Sequence, residues 1–430
     1  MAVLALRGGA PVRTRPFPPW PIYGLRERRE LLRVLRSRTW GTLGPRTRAF
    51  EEAFASYLGC THAQTVANGT VSLEAILRAL DVGPGDEVIV PPYTFIATAT
   101  AVLMVGATPV FADVDPETNT IDPAAVEAAI TSRTRAVIPV HIAGIPADMD
   151  ALLGLSERTG IPVIEDAAQA HGSEWRGRKL GTLGRAGSFS FQLSKNMSAG
   201  EGGAVTTNDE ELAARVWSIH HVGRRPRGLW YGHYELASNY RMTDWQAGVL
   251  LAQLARLDRQ IDLRERNAAR LDRAIAEVPG LQPFRRDERA TRVTHHLYMF
   301  RYTPEAIPGV TRDRFVEALE AEGVPCSTGY VEIQRQPLFS HPSVRRVVGD
   351  TDYTAVSLPG AEQACAQTVW IAQNVLLGGD RDIQDVVSYE PGVTVGGSGR
   401  FGLDGSTIRG SGGNRVLPVV ENIRVPEESS

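Results

Sequence analysis

The segment SFSFQLSKNMSAGEGGAV, residues 188–205, places a lysine between an alternating apolar strand and a glycine-rich turn. A lysine in such apolar surroundings is costly to desolvate unless its charge is paired or its pKa is lowered. Lysines with a lowered pKa form Schiff bases with carbonyl compounds. Lys195 is therefore a candidate for covalent chemistry, and the remaining sequence must supply its partners.

Two acidic residues, Glu165 and Asp166, end the apolar strand in IPVIEDAAQAHG. Side chains alternate along a strand, so these two point to opposite sides. An acid there either caps the next helix or acts at the carboxyl edge of the sheet. The next strand delivers Ser190 and then Lys195 to the same edge. An acid and a lysine that meet there form either a plain salt bridge or part of a site, and these residues alone leave both readings open.

Two further features could contribute to a binding site. In VANGTVSLEAILRAL, Gly69 and Thr70 lie where a loop enters a helix, so free backbone N–H groups and the helix dipole favour a phosphate. The alternative is an ordinary N-cap at Asn68 or Thr70. Phe95, after the strand EVIVPPYTF, either lies flat against a ring or packs in the core, and in isolation the core is favoured.

The elements that position these residues alternate along the chain. From about residue 45 to 210, apolar β-rich runs alternate with helical patterns, which predicts a mostly parallel sheet with helices on both faces. Ligands bind outside the carboxyl ends of such strands. Residues 242–277 carry one long helical pattern that links two domains. The predicted organisation is a large α/β domain over 1–250, a linking helix and small α+β domain over 251–390, and a Gly/Ser-rich extended or disordered tail over 391–430.

Composition excludes several classes of protein. The chain has 430 residues, 22% of them charged, and a formal net charge of −3, which gives no sign of a general nucleic-acid binder. Its three cysteines are far apart, which predicts no metal site and a reducing compartment. The N-terminus resembles neither a signal peptide nor a membrane span. We expect a cytoplasmic protein that contacts neither nucleic acid nor membrane.

Taken together, the candidate residues suit one cofactor. Pyridoxal 5'-phosphate (PLP) needs a lysine for its aldehyde, an acid for its ring nitrogen, donors for its phosphate and an aromatic face. A NAD enzyme would show a glycine fingerprint after the first strand, and none is present. The combination therefore predicts a PLP enzyme, although each part alone is a weak signal.

Over roughly residues 5–385 the sequence resembles the DegT/StrS family of sugar and cyclitol aminotransferases. The matching motifs are NGTVSLEAIL, GDEVIVPPYTFIATATAV, PVHIAGIPADMDAL, IEDAAQAHG, FSFQLSKNMSAGEGGAV and SNYRMTDWQAGVLLAQL. So many matches in order make the resemblance specific. It implies the fold-type I α/β architecture of PLP-dependent transferases, with a smaller C-terminal α+β domain.

The resemblance also implies residue roles. Lys195 would form the Schiff base with PLP and move the proton between substrate and cofactor. Asp166 would pair with the ring nitrogen, and Gln169 would approach the phenolic oxygen of the ring. The remaining implied cofactor contacts are Ser190, Gly69 and Thr70 at the phosphate, Phe95 on the ring, and Asn239 at the phosphate of the neighbouring subunit's cofactor. The active sites would then be shared across a homodimer.

The presence of Lys195 favours transamination, because the resemblance implies a histidine at that position in related sugar dehydratases. The donor is expected to be L-glutamine or L-glutamate. Gln192, where nucleotide-sugar members commonly show a histidine, favours a keto-cyclitol or unactivated keto-sugar of the kind found in aminoglycoside-type biosynthesis. Arg224 and Arg225, in HHVGRRPRG, either bind a substrate phosphate or lie on a solvent-facing loop.

Tyr330, in TGYVEIQRQPLF, is a further substrate candidate, in a stretch where Glu332-Ile333 replaces the Pro-Leu of many relatives.

Three alternative functions remain in ranked order. The first is a nucleotide-keto-sugar aminotransferase. The second is an enzyme like 3-amino-5-hydroxybenzoate synthase, in which the resemblance implies a histidine at the position of Gln169. The third is a PLP-binding partner subunit without turnover.

Overall fold

The computed structural model describes residues 4–41, 43–307 and 309–387. The helices are α1 (Leu25–Ser37), α2 (Pro45–Leu58), α3 (Gly69–Ala79), α4 (Ala97–Met104), α5 (Pro123–Ala129), α6 (Met149–Thr159), α7 (Glu210–His220), α8 (Asp244–Leu254), α9 (Leu257–Ala276), α10 (Arg312–Ala321), α11 (Pro342–Val348), α12 (Pro359–Gln367) and α13 (Asp380–Val387). Short 3-10 turns include Ile142–Gly144 and Ile333–Arg335. The predicted tail over 391–430 lies outside the described residues.

The strands of the first half of the chain are β1 (His62–Val66), β2 (Glu87–Val90), β3 (Thr108–Phe111), β4 (Val114–Asp115), β5 (Thr120–Ile121), β6 (Thr134–Val137) and β7 (Ile164–Asp166). Those that follow are β8 (Glu174–Trp175), β9 (Arg178–Lys179), β10 (Ala186–Ser190), β11 (Gly203–Thr207), β12 (Leu281–Pro283), β13 (Leu297–Tyr302), β14 (Cys326–Ser327) and β15 (Thr368–Ala372).

The large sheet is mostly parallel, as the alternating pattern predicts. One part has the order β1-β11-β10-β7 and the other β3-β2-β6. Parallel bridges Val137–Val163 and Val140–Asp166 join β6 to β7 and make the sheet continuous. Only β11 runs against its neighbours within this sheet, because both β1 and β10 pair with it antiparallel while the remaining pairs are parallel. The carboxyl ends of β7 and β10 consequently lie side by side.

The smaller sheet has the order β12-β13-β15-β14 and is antiparallel throughout. It packs with α9 and α10 around a separate apolar core that includes Phe300, Phe315 and Leu271. This is the predicted α+β unit. The limits placed at residues 250 and 390 stay predictions.

The long helical pattern over residues 242–277 is wrong as a single helix. It forms two helices, α8 and α9, separated by Ala255 and Arg256. At this break Arg256 donates to the carbonyl oxygen of Ile22 at 2.6 Å and to Glu27 at 2.9 Å. No glycine or proline marks the break, so this tertiary contact left no local signal.

Aromatic packing supports the strand that leads to Lys195. Phe189 and Phe191 at the end of β10 meet the ring of Phe54 edge-on, with centroids 5.1 and 5.6 Å apart. All three side chains are fully buried. Removing such a ring costs about 3–5 kcal/mol of stability, so the strand is a rigid support. Within the described residues, no helix combines the length and the apolar character needed to cross a membrane.

Candidate active site

Lys195 follows β10 and is only partly exposed. Burial lowers the pKa of its amine to about 8, and attraction to Asp166 limits the fall. An appreciable fraction of the amine is therefore neutral and nucleophilic near neutral pH. Within the described residues no ion pair at 4.0 Å or less joins Lys195 to Asp166, so the plain salt bridge is wrong.

The chain contains one other lysine, Lys179. Its Nζ pairs with Glu174 at 3.0 Å and lies 4.5 Å from the ring centroid of Tyr57. Lys179 already has a carboxylate and an aromatic ring as partners. Lys195 is thus the lysine whose surroundings suit Schiff-base chemistry.

Asp166 ends β7 with 6% of its surface exposed. Burial raises the pKa of its carboxyl, while hydrogen bonds oppose the rise. The hydroxyl of Thr98 donates to Oδ2 at 2.9 Å, and the N–H of Ala168 donates to Oδ1 at 3.2 Å. A carboxylate that is this poorly hydrated gains from a cationic N–H partner, which is what a protonated pyridine nitrogen supplies.

Glu165 points to the other side of the strand, as strand alternation predicts. Its carboxylate accepts from the backbone N–H groups of Gly181 at 2.7 Å, Leu183 at 2.6 Å and Gly184 at 2.8 Å. The Nε2 atom of His141 lies 3.1 Å from the same carboxylate. With its acceptor capacity used by the scaffold, Glu165 is structural, and Asp166 remains the acid available to a ligand.

The candidate phosphate site forms where α3 meets the end of β10. Asn68 is the N-cap, its side chain accepting from Val71 N–H at 3.0 Å, so the Asn68 alternative for the cap is confirmed. The N–H groups of the first helical residues, Gly69 and Thr70, have no partner within the helix. A Cβ on Gly69 would lie 2.7 Å from that of Ser190, so glycine permits this close approach. The structure therefore brings Gly69 and Ser190 together.

Gln169 connects the sheet edge to the region after β14. Its Oε1 accepts from Ala143 N–H at 2.7 Å, and its Nε2 donates to the hydroxyl of Tyr330 at 3.1 Å. Burial raises the pKa of Tyr330 to about 12, so its hydroxyl stays protonated. Tyr93 meets the Tyr330 ring edge-on at 5.7 Å. The predicted substrate candidate Tyr330 is thus placed beside the predicted cofactor contact Gln169.

Phe95 precedes α4 and is 56% exposed. The core reading favoured for it in isolation is wrong, because the chain turns into α4 at this point and leaves the ring outside. The helix α4 that follows carries Thr98, whose hydroxyl donates to Asp166. Sequence reasoning missed Thr98, since threonine recurs in TFIATATAV and the pattern does not show which copy faces the acid.

Arg224 and Arg225 lie in different surroundings. Arg225 is exposed, with its guanidinium 4.7 Å from the ring centroid of Tyr234. Arg224 is partly buried; burial lowers the pKa of the nearby Arg241 guanidinium, and repulsion by Arg224 lowers it further. Asn239 is exposed, and its side-chain oxygen accepts from Arg241 N–H at 3.4 Å. The structure therefore places Arg224 and Asn239 each near Arg241, while Arg225 lies against Tyr234.

The mostly parallel sheet and the Lys195–Asp166 edge define the class first: an α/β enzyme equipped to bond a carbonyl through lysine. Comparison with known proteins identifies the family. The profile of the DegT/DnrJ/EryC1/StrS aminotransferase family matches residues 22–389. The chain belongs to this family and is an aminotransferase.

Individual relatives agree with that assignment. The L-glutamine:2-deoxy-scyllo-inosose aminotransferase of Streptomyces paromomycinus is 41% identical over 407 residues, 90% of this chain and 96% of the relative. The 3-amino-5-hydroxybenzoate synthase of Amycolatopsis mediterranei is 40% identical over 373 residues, 85% of this chain and 94% of the relative. A crystal structure of 3-amino-5-hydroxybenzoic acid synthase superposes with a TM-score of 0.82 at 39% identity, covering 87% of this chain and 97% of that one.

Proposed function

We propose that this aminotransferase uses PLP bonded to Lys195 to move an amino group from L-glutamine or L-glutamate to a keto-cyclitol. The observation that carries the proposal is the lowered pKa of Lys195 beside a desolvated Asp166 at one edge of the sheet. Family membership supplies the reaction class. The glutamine:scyllo-inosose relative supports both the donor and the cyclitol acceptor.

The residues present fit the cofactor. When bound, PLP supplies an electron sink that stabilises negative charge on the substrate carbon. Asp166, held by Thr98, would keep the ring nitrogen protonated, and Gln169 would contact the phenolic oxygen. Lys195 would move the proton to and from the substrate carbon. Ser190 and the α3 N-terminus, Gly69 and Thr70, would hold the phosphate, and Phe95 would cover the ring.

A homodimer with shared sites is part of the proposal. Arg224, Arg241 and Asn239 gather positive charge and amide donors on a surface, which suits the phosphate of a neighbouring subunit's cofactor. The hairpin next to them exposes 79% of Leu229 and 87% of Trp230. Apolar side chains this exposed favour burial against a second copy of the chain.

We also place the enzyme in the cytoplasm. Cys60, Cys326 and Cys365 are free thiols within the described residues. Burial raises the pKa of each, to about 11 for Cys60 and about 12 for the other two, so they stay protonated and unreactive. Unpaired thiols suit a reducing compartment.

The first experiment is the visible absorption of the PLP-loaded protein before and after L-glutamine or L-glutamate, without acceptor. We expect a yellow band that disappears as a 2-oxo acid forms. Borohydride reduction before donor addition, followed by peptide mapping, should place the cofactor on Lys195 and leave Lys179 unmodified. A band that ignores both donors, or a label on Lys179, would contradict the proposal.

A second acceptor class remains a candidate because of Arg225. Arg225 and Arg227 line an exposed cleft with Tyr234, and guanidinium groups bind phosphates well. Protein converted to the amino form by donor should therefore be given keto-cyclitols and nucleotide keto-sugars side by side. Amination of keto-cyclitols with little response to nucleotide sugars supports the proposal, and the reverse preference selects the nucleotide-sugar alternative.

A further inference from the structure

A fully buried arginine, Arg264, lies on the core-facing side of α9. Its Nε and Nη1 atoms have no hydrogen-bond partner among the described residues, and no acid pairs with it there. Burial lowers the pKa of Arg264 to about 9, so its guanidinium is still charged at neutral pH. A buried charge without a counter-ion is destabilising, so the remaining contacts of this side chain must compensate for that cost.

One contact leads from Arg264 to the loop that carries Lys195. Its Nη2 donates to the side-chain Oε1 of Gln373, which follows β15 and is buried. The Nε2 of Gln373 donates to the carbonyl oxygens of Ser194 at 2.9 Å and Lys195 at 3.4 Å. Gln373 therefore joins the small-sheet region to the backbone of the reactive lysine.

Arg264 also fixes which end of the Gln373 amide faces the loop. A guanidinium group can only donate hydrogen bonds, so the amide oxygen must face Arg264. The NH₂ group must then face the carbonyl oxygens of Ser194 and Lys195. A neutral partner that could both donate and accept would allow the amide to turn over and present its oxygen to those carbonyls.

A second contact reaches the same loop through Trp20. The guanidinium of Arg264 lies over the Trp20 ring, 5.5 Å from its centroid. The indole N–H of Trp20 donates to the carbonyl oxygen of Leu193 at 2.7 Å. Three consecutive carbonyls, at residues 193 to 195, are thus held by two side chains that both meet Arg264.

The geometry points to a positioning function for Arg264, Gln373 and Trp20, here called the carbonyl clamp: they hold the backbone so that the Lys195 amine pivots about a fixed Cα. This inference rests on the proposed function of Lys195. An amine that delivers a proton to defined atoms depends on its anchor, and a misplacement of 1 Å can cost about a hundredfold in rate. The clamp residues act through the backbone of Lys195 and are assigned no contact with substrate or cofactor.

The test variant is Gln373→Glu. An ionised glutamate cannot donate to the carbonyls, but its charge pairs with Arg264, so the fold is retained. We expect kcat to fall about ten- to a hundredfold while the KM for glutamine stays unchanged. The melting temperature of the protein without PLP should match or exceed that of the wild type.

The matched control is Gln373→Met, which removes the donors without adding charge. It should lose a similar factor in kcat but also melt at a lower temperature, because Arg264 is left unpaired. The pH midpoint of the visible absorption of the PLP-loaded protein gives a readout independent of turnover. The added negative charge of Gln373→Glu should raise that midpoint, and Gln373→Met should show how far loss of the clamp alone moves it.

Wild-type kcat in Gln373→Glu would overturn the clamp, as would a loss of kcat confined to the variant that melts early. A wild-type protein that binds PLP but ignores donors would instead contradict the proposed function. In that case the clamp is judged by the pH midpoint of Gln373→Met, which adds no charge: a midpoint equal to that of the wild type overturns it, and a displaced midpoint supports it.

Discussion

The Lys195 site and the hairpin segment 222–240 differ in whether their side chains find partners within the same chain. At the Lys195 site, Asp166, Gln169 and the loop backbone are each held by groups from distant parts of the same chain. In the segment, the backbone is paired internally, with Val222 N–H bonded to Ser238, yet Trp230 and Leu229 remain outside. The named residues of the Lys195 site have partners in their own chain, and the segment exposes apolar side chains that would suit the second copy we propose.

Substitutions at the Lys195 site should act on chemistry within one subunit. With the proposed shared sites, substitutions in the segment 222–240 should act on the site of a neighbouring subunit.

Replacing Lys195 by alanine should reduce turnover at least about a thousandfold, because no other group at the site can bond the cofactor and move the proton. Turnover and the melting temperature are measured together, and the fold should remain intact. Lys179→Arg is the matched control and should keep wild-type turnover, because arginine preserves the pairing with Glu174. Normal activity of Lys195→Ala would rule out the mechanism.

Asp166→Asn should lower kcat about 10²–10³-fold, because the amide cannot hold a protonated ring nitrogen by charge. Thr98→Val keeps the shape but removes the hydroxyl that donates to Asp166, and should cost about tenfold. Steady-state kinetics with glutamine measure both. The comparison of the two variants is the informative result. A kcat lower in Thr98→Val than in Asp166→Asn would contradict a supporting function for Thr98.

Mixing Lys195→Ala with Asn239→Ala subunits should restore activity that neither variant has alone. In each mixed dimer one site combines an intact lysine with an intact asparagine from the other chain, so equal mixing yields about one quarter of wild-type activity. Subunit exchange is verified by mass spectrometry. Exchange without recovery would assign Asn239 to its own subunit and remove the contrast between the two regions.

Lys195→Met should stabilise the PLP-free protein at pH 7 by something on the order of 3 kcal/mol, since the folded pKa of about 8 is below the ordinary 10.5. Between those values the unfolded chain binds a proton that the folded chain has released, so wild-type stability rises with pH. The advantage of the variant should therefore shrink from pH 8 to 10.5. Denaturant unfolding across this range measures it, and a constant difference would contradict the lowered pKa.

The sequence predicted where the candidate site residues lie because each is next to a local marker. Lys195 follows an alternating strand, Asp166 ends an apolar one, and Asn68 caps a helix. Strand alternation also separated Glu165 from Asp166 correctly, although nothing local showed that three backbone N–H groups would occupy Glu165.

The remainder depends on contacts between distant segments. Gln373 is 179 positions from Ser194, and no pattern near either residue announces their hydrogen bond. The break between α8 and α9 likewise coincides with the contact of Arg256 with Glu27, and no glycine or proline marks it. For Phe95, the surrounding apolar residues favoured the core, but the direction in which the chain enters α4 decided its exposure.

The scarcity of lysine has a consequence for chemical labelling. Amine-reactive esters attack the neutral amine, and the two lysine side chains of this chain differ sharply in that respect. Lys179 pairs with Glu174 and lies against the Tyr57 ring, while Lys195 is neutral in part near pH 8. We therefore expect acylation of side-chain amines to favour Lys195, and PLP bonded there, as we propose, would shield it. With PLP bonded there, amine-directed tagging or immobilisation would spare Lys195. After PLP is removed, the same reagents would also attach at Lys195.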